Sequence, residues 1–180
     1  MLNIVYALRM IVDDLPLMAH RYIIALGSNR AGRFGANPRT MIESALAQLA
    51  QDSRLCIIAR APIIATRPIG PARRGFANGA AQINTMLSPP QLLAALQAME
   101  RRFGRRKGRR WGDRPLDLDI ILWSGGRYRT RDLQIPHLAY HQRAFVLDPI
   151  CAIARDWRDP RYGVKMTHLR ARLPHNGNNG

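Results

Sequence analysis

Residues 109–123 read RRWGDRPLDLDIILW, and the part from Leu116 to Trp123 decides how the rest of the chain is arranged. Asp117 and Asp119 interrupt an apolar run of Leu116, Leu118, Ile120, Ile121 and Leu122. Side chains alternate along a strand. Leu116, Leu118 and Ile120 therefore face one way, and Asp117, Asp119 and Ile121 the other. Read so, the segment is a strand with an apolar face and a carboxylate pair whose Cα atoms lie roughly 6.5–7 Å apart.

Upstream of the basic loop, Leu92, Leu93, Leu96, Met99 and Phe103 form the apolar stripe of a helix. Ser88-Pro89-Pro90-Gln91 opens that helix as a capping box, and Gly104 ends it. Further back, Gln82–Met86 alternates like a strand, and Thr66–Pro71 is a loop fixed by prolines and a glycine. Leu55–Ile64 reads as one strand, and Ile42, Ala45, Leu46 and Leu49 recur at helical spacing after an Asn37 cap and Pro38. Tyr22–Leu26 reads as a buried strand. Downstream of Trp123, Ser124-Gly125-Gly126 is a turn, Arg127–Arg129 a short return strand, and the tail from Pro136 irregular with short helical pieces. The order strand, helix, strand, strand, helix, strand predicts a ferredoxin-like α+β fold: a βαββαβ antiparallel sheet with helices packed on one face.

A chain of 180 residues with 47% hydrophobic content suits one domain with a full core. The domain is expected over 20–172, between an N-terminal extension (1–19) and a disordered tail (173–180) that ends in HNGNNG. The leader MLNIVYALRMIVDDLPL lacks a basic start, and Asp13 and Asp14 break its apolar stretch. It does not read as an export signal. Cys56 and Cys151 read as buried free thiols of a reducing cytoplasm. His137 and His141 are four apart, but Pro136 precedes them and no third ligand accompanies them, so zinc is not expected.

The net charge is +16, and Arg101, Arg102, Arg105, Arg106, Lys107, Arg109, Arg110 and Arg114 crowd into a run holding a single acid, Asp113. Such a run repels itself unless anions arrive. Nucleic acid, a membrane surface and a polyphosphate substrate all fit that requirement. The aspartate pair narrows the choice. Two desolvated carboxylates on one strand face repel each other, and divalent metal relieves both the repulsion and the desolvation. Magnesium takes one or two protein carboxylates together with water and phosphate oxygens. Cations beside metal-binding carboxylates are the layout of phosphoryl transfer. In the loops, Trp111 can stack on a flat ring, and Phe76 and Asn78 can share a strand face.

RRWGDRPLDLDIIL resembles the signature of the 6-hydroxymethyl-7,8-dihydropterin pyrophosphokinase family. ALGSN at 25–29, TRPIGP at 66–71, FANGA at 76–80, QAMERRFGR at 97–105 and IPH…RAFVLDPI at 135–150 match it in order. The resemblance implies a ferredoxin-like fold and transfer of pyrophosphate from ATP to the pterin hydroxymethyl group, with AMP released. It implies two Mg²⁺ ions held by Asp117 and Asp119, and phosphate contacts from Arg105 and Arg114. It implies a pterin pocket of Thr66, Ile69, Phe76, Asn78, Trp111 and Phe145. ATP contacts fall to Gln97, Glu100, Lys107, Arg110, Ile120, His137 and Arg143. The chain departs from the family pattern at Arg67, where proline is common, at Asp113, and at Leu138, where some members carry tyrosine. A cytoplasmic monomer acting on ATP and hydroxymethyldihydropterin is expected, with no membrane partner. A basic nucleic-acid-binding module and an inactive relative of the enzyme are the alternatives.

Overall fold

The computed structural model describes residues 19–29, 37–66, 75–105 and 115–174. In these segments β1 (His20–Ser28), α1 (Pro38–Gln51), β2 (Leu55–Arg60), β3 (Ile64–Thr66), β4 (Phe76–Thr85), α2 (Pro89–Arg102) and β5 (Asp117–Trp123) follow in order. Then come β6 (Tyr128–Arg129), β7 (Gln134–Ile135), a 3-10 turn at Tyr140–Gln142, α3 (Ala144–Ala154) and α4 (Met166–Ala171). The leader up to residue 18 and the tail from 175 lie outside the described residues.

The main sheet runs β2-β4-β1-β5, all neighbours antiparallel, with β3 paired to the start of β4. The connections through α1 and α2 each join strands separated by one other, which is the split βαβ order expected from the sequence. Local chemistry explains the helix ends. Asn37 Oδ1 accepts from the Thr40 backbone N–H at 2.9 Å. Gln91 Oε1 accepts from both the backbone N–H and the hydroxyl of Ser88 at 2.9 Å. At the far end of α2, Gly104 adopts φ 91, which a side chain would resist. The Gly104 N–H donates to Arg101 O and the Arg105 N–H to Glu100 O, each at 3.0 Å, a Schellman closure.

The apolar stripes of α1 and α2 pack on one sheet face: Ile42, Ala45, Leu46, Leu49, Leu92, Leu96 and Met99 meet Tyr22, Ile24, Leu26, Ile83, Leu116, Leu118 and Ile120. Fully burying one such side chain is worth about 1.5–3 kcal/mol, so this layer fixes the strand register. The opposite face is only partly covered. There Ile23, Ala80, Ile121 and Leu122 pack under Tyr140, Leu147, Ile150, Met166 and Leu169. The C-terminal part of the chain supplies this second layer, which lies outside the βαββαβ unit.

Several boundaries differ from the sequence expectation. Leu55–Ile64 is not one strand: β2 stops at Arg60, and β3 begins at Ile64. Its pairing with β4 shifts between Ile57 and Ala59, and Pro62 has no N–H for a ladder. The segment after the Ser124–Gly126 turn pairs with β7 in a separate two-stranded sheet. The tail from Pro136 holds an eleven-residue helix, α3, with Pro149 inside it.

The C-terminal layer is tied down by Asp159, which is 0% exposed. The Tyr140 hydroxyl donates to its Oδ2 at 2.5 Å, and the Arg161 guanidinium to the same oxygen at 2.9 Å. Burial alone would raise the Asp159 pKa, but hydrogen bonds from Arg161 and Tyr140 outweigh it and hold the carboxyl below its ordinary 3.8. Its contribution to stability is thus fully present above 3.8 and is lost as pH falls through the folded value. Asp159→Asn should cost about 3 kcal/mol at pH 7 by urea unfolding, because Arg161 keeps its charge and loses its partner. The gap between wild type and variant should narrow below about pH 4.

Candidate active site

β5 carries Leu116, Leu118 and Ile120 into the main core, so alternation turns Asp117 and Asp119 to the other face, both half-buried. The pairing sets their neighbours. Asp117 stands opposite Gly27 and Asp119 opposite Ala25 on β1. Gly27 and Ala25 in turn stand opposite Asn78 and Ala80 on β4. Asp117, Gly27 and Asn78 therefore form one row across three strands. A Cβ placed on Gly27 would lie 3.7 Å from Asn78 Oδ1 and 3.9 Å from the Asp117 Cβ. The glycine makes a flat floor between a carboxylate and a carboxamide. The face covered by α3 and α4 ends where this floor begins, since Ala80 and Ile121 belong to the covered cluster.

Asn78 is 7% exposed, and its Nδ2 donates to Thr66 Oγ1 at 2.8 Å. That bond fixes the side chain and leaves Oδ1 toward the floor. Thr66 stands opposite Phe76 in the β3–β4 pairing, so Thr66, Phe76 and Asn78 come together at one sheet end. β1 is antiparallel to β4 and β5, so Ser28 lies at the same end as Phe76 and Asp117. The residues flanking 67–74 and 106–114 meet the sheet there too. Ile69, Lys107, Arg110, Trp111 and Arg114 fall in those two segments and lie outside the described residues.

Arg105 follows directly from the Gly104 closure. Its Nη1 donates to Asp117 Oδ1 at 2.9 Å and also to Glu100 Oε1. Glu100 departs from the expectation of an ATP contact. It is 2% exposed and turned inward, its Oε1 accepting the Leu118 N–H at 2.8 Å. Burial raises its pKa against the lowering effect of the Leu118 N–H and Arg105. Its work in the fold is to join α2 to β5 and to hold Arg105 over Asp117.

On the outer side of β5, a cavity of about 730 Å³ is lined by Asp119, Ile120 and His137 together with Leu93, Arg129, Arg131 and Asp132. Its size is that of a small-molecule site. The His137 backbone N–H donates to Ile121 O at 3.1 Å, which pins this residue against β5. His137 Nδ1 is buried and has no hydrogen-bond partner among the described residues. Gln97 is exposed on α2, one turn beyond Leu93 and on the same helix face. Arg143 is exposed and Phe145 half-buried at the start of α3, the Arg143 guanidinium lying 5.9 Å from the Phe145 ring centroid.

The sequence reading missed the floor at Gly27 and Ala25 and the arginines of the hairpin, Arg129 and Arg131. A glycine inside a strand pattern marks close backbone approach, and Gly27 carried that signal. Nothing in the local pattern marks Arg129 or Arg131, which reach the cavity only through the β6–β7 pairing.

Two carboxylates with a guanidinium beside them fit a divalent cation that also carries phosphate oxygens. Among the described residues no group of three or more His, Cys, Asp or Glu forms a larger metal cluster.

A model of the 7,8-dihydro-6-hydroxymethylpterin-pyrophosphokinase family matches residues 23–155. The 2-amino-4-hydroxy-6-hydroxymethyldihydropteridine pyrophosphokinase of Pseudomonas aeruginosa is 39% identical over 161 residues, covering 89% of this chain and 96% of the relative. The protein of the same name from Synechocystis is 35% identical over 156 residues, covering 87% and 77%. Among solved structures, wild-type Plasmodium falciparum HPPK-DHPS has a TM-score of 0.65 at 11% identity, covering 85% of this chain and 41% of that one. This chain thus spans less than half of that longer protein, and the likeness is one of fold. With the family model spanning most of the chain, and relatives this similar over more than three quarters of their own length, the chain belongs to the 7,8-dihydro-6-hydroxymethylpterin-pyrophosphokinase family.

Proposed function

We propose that Asp117 and Asp119 hold two Mg²⁺ ions in this chain's pyrophosphoryl transfer, and that ATP and the pterin meet over the Gly27 floor. The family's reaction moves pyrophosphate from ATP to the hydroxymethyl group of 6-hydroxymethyl-7,8-dihydropterin in folate synthesis, releasing AMP. The observation that supports this reading is the row Asp117–Gly27–Asn78, which sets a carboxylate and a carboxamide on either side of a glycine.

In this proposal the pterin lies over Gly27 with its polar edge on Asn78, held in turn by Thr66. Phe76 borders it, Ile69 lines the loop side, and Trp111 and Phe145 close on its two ring faces. The nucleotide takes the cavity beside β5. Ile120 and His137 line it and His137 Nδ1 offers a buried polar atom; Gln97, Lys107, Arg110 and Arg143 are assigned further contacts to the nucleotide. The pterin hydroxyl attacks the β-phosphorus in line; a new O–P bond forms as the bond to the AMP oxygen breaks. Magnesium, when bound, neutralises phosphate oxygens and lowers the pKa of the attacking hydroxyl. Arg105 has five N–H donors, so its pairing with Asp117 and Glu100 leaves others for phosphate. Arg114 adds a second guanidinium as negative charge redistributes. Hydrogen exchange over 104–114 should slow when an ATP analogue and pterin are added, since Arg105, Lys107, Arg110, Trp111 and Arg114 are all assigned to the substrates.

The same proposal holds a single pyrophosphokinase domain over 20–172, acting as a monomer in the cytoplasm. Among the described residues no helix is long and apolar enough to cross a membrane. The test is AMP release from ATP, measured with and without Mg²⁺ and with and without hydroxymethyldihydropterin. AMP should appear only with both. Pterin-independent release, or release unaffected by EDTA, would overturn the proposal.

A further inference from the structure

A second groove lies at the other end of the sheet, on the face that α3 partly covers. Tyr22 pairs with Trp123 there, whereas Gly27 pairs with Asp117 at the active-site end. Six residues of strand separate Asp117 from Trp123, roughly 20 Å. The groove has a volume of about 620 Å³ and is lined by Arg21, Arg155, Arg158, Trp157, Trp123 and Gln82, among others. Arg21, Arg155 and Arg158 are all exposed. The Arg21 guanidinium sits 5.5 Å from the Trp157 ring centroid. The one acid among the lining residues, Asp156, is paired with Lys165 at 2.6 Å. Its charge is thereby answered within the protein, and the groove is left strongly positive.

We propose that this groove binds single-stranded RNA through its phosphates. The chemistry favours a polyanion over a small anion. The groove is lined by three exposed arginines, Arg21, Arg155 and Arg158, more positive charge than one small anion neutralises, and Trp157 stands between the last two in the chain. Arginines beside an aromatic ring, here Trp157, are an arrangement that single-stranded nucleic acid uses. The chain's charge of +16 also far exceeds what one ATP requires. This site stands apart from the aspartate pair, so the proposal does not depend on how ATP is bound.

The experiment follows binding of a fluorescein-labelled U12 RNA by anisotropy from 50 to 300 mM NaCl. Full-length wild type, R155E/R158E, R155Q/R158Q and a charge-matched control, R60E/R172E, are compared; Arg60 and Arg172 are exposed and outside the groove. R155E/R158E should weaken binding at least about tenfold and reduce the salt slope by about 1.4, the share of two phosphate contacts. R155Q/R158Q should show a smaller loss in the same direction, and the control should stay within about threefold of wild type. AMP production and the melting temperature of the groove variants should match wild type. Equal losses in groove and control variants would overturn the proposal, as would no RNA binding at all. Displacement of U12 by inorganic phosphate at equal phosphate concentration would make this a small-anion site. Groove-dependent binding to phosphatidylserine vesicles as tight as to U12 would make it a membrane contact. Either result would also overturn the RNA reading.

Discussion

Asp117→Asn and Asp119→Asn should each lower kcat for AMP formation by about 100- to 1,000-fold, the usual cost of removing one preorganised electrostatic group. Asparagine keeps the shape of each side chain and takes away the charge to which the proposal assigns a divalent ion. The fold should survive, because β5 is fixed by its pairing with β1 and by Leu116, Leu118 and Ile120 in the core. The Asp117 side chain is itself 30% exposed. A rival account makes Asp117 simply the ion-pair partner of Arg105. The two accounts separate in a magnesium titration. Asp119→Asn should raise the Mg²⁺ concentration needed for half-maximal activity, whereas Arg105→Gln should lower the rate without moving that midpoint. Full activity in Asp117→Asn would leave only the ion pair.

Gly27→Leu should lower kcat/KM for the pterin by about 100-fold or more, since small displacements at a reacting centre carry penalties of that order. The β-carbon alone is tolerated: it would meet Asn78 Oδ1 at 3.7 Å and the Asp117 Cβ at 3.9 Å, ordinary contact distances. Gly27→Ala should therefore stay within a few fold of wild type. The larger side chain has to project between Asn78 and Asp117, where the proposal puts the substrates. Stability should move the opposite way, because glycine inside a strand is worse than alanine by roughly 0.5–1 kcal/mol. A variant that melts no lower than wild type, yet binds pterin poorly by calorimetry, is the expected result. Unchanged pterin affinity in Gly27→Leu would remove the floor from the site.

The βαββαβ order could be read from the sequence because each element carries a local signature. The Asn37 cap, the Ser88–Gln91 box, the α2 stripe and the alternation at 116–121 all state in a few residues what the chain does there. The second layer could not be read this way. Pro149 lies inside α3, and proline lacks the N–H that a helix interior uses. The division of β2 from β3 depends on a register shift against β4, which is a long-range fact. At the site, the aspartates were plain because carboxylates in an aliphatic strand demand a reason. Glu100 gave no such contrast in a polar stretch of helix. Only the burial of its carboxyl under the Leu118 N–H shows that it serves Arg105.

The alternation on β5 has one further consequence. A pairing slip of a single residue against β1 would drive Asp117 and Asp119 into the oily layer and push Leu116, Leu118 and Ile120 out into water. A mispaired chain would thus be unstable as well as inactive, and little of it would persist as a compact but dead enzyme. The two carboxylates thus also act as a proofreading device for the sheet, so a cell's quality control needs no separate cue to find the faulty copies.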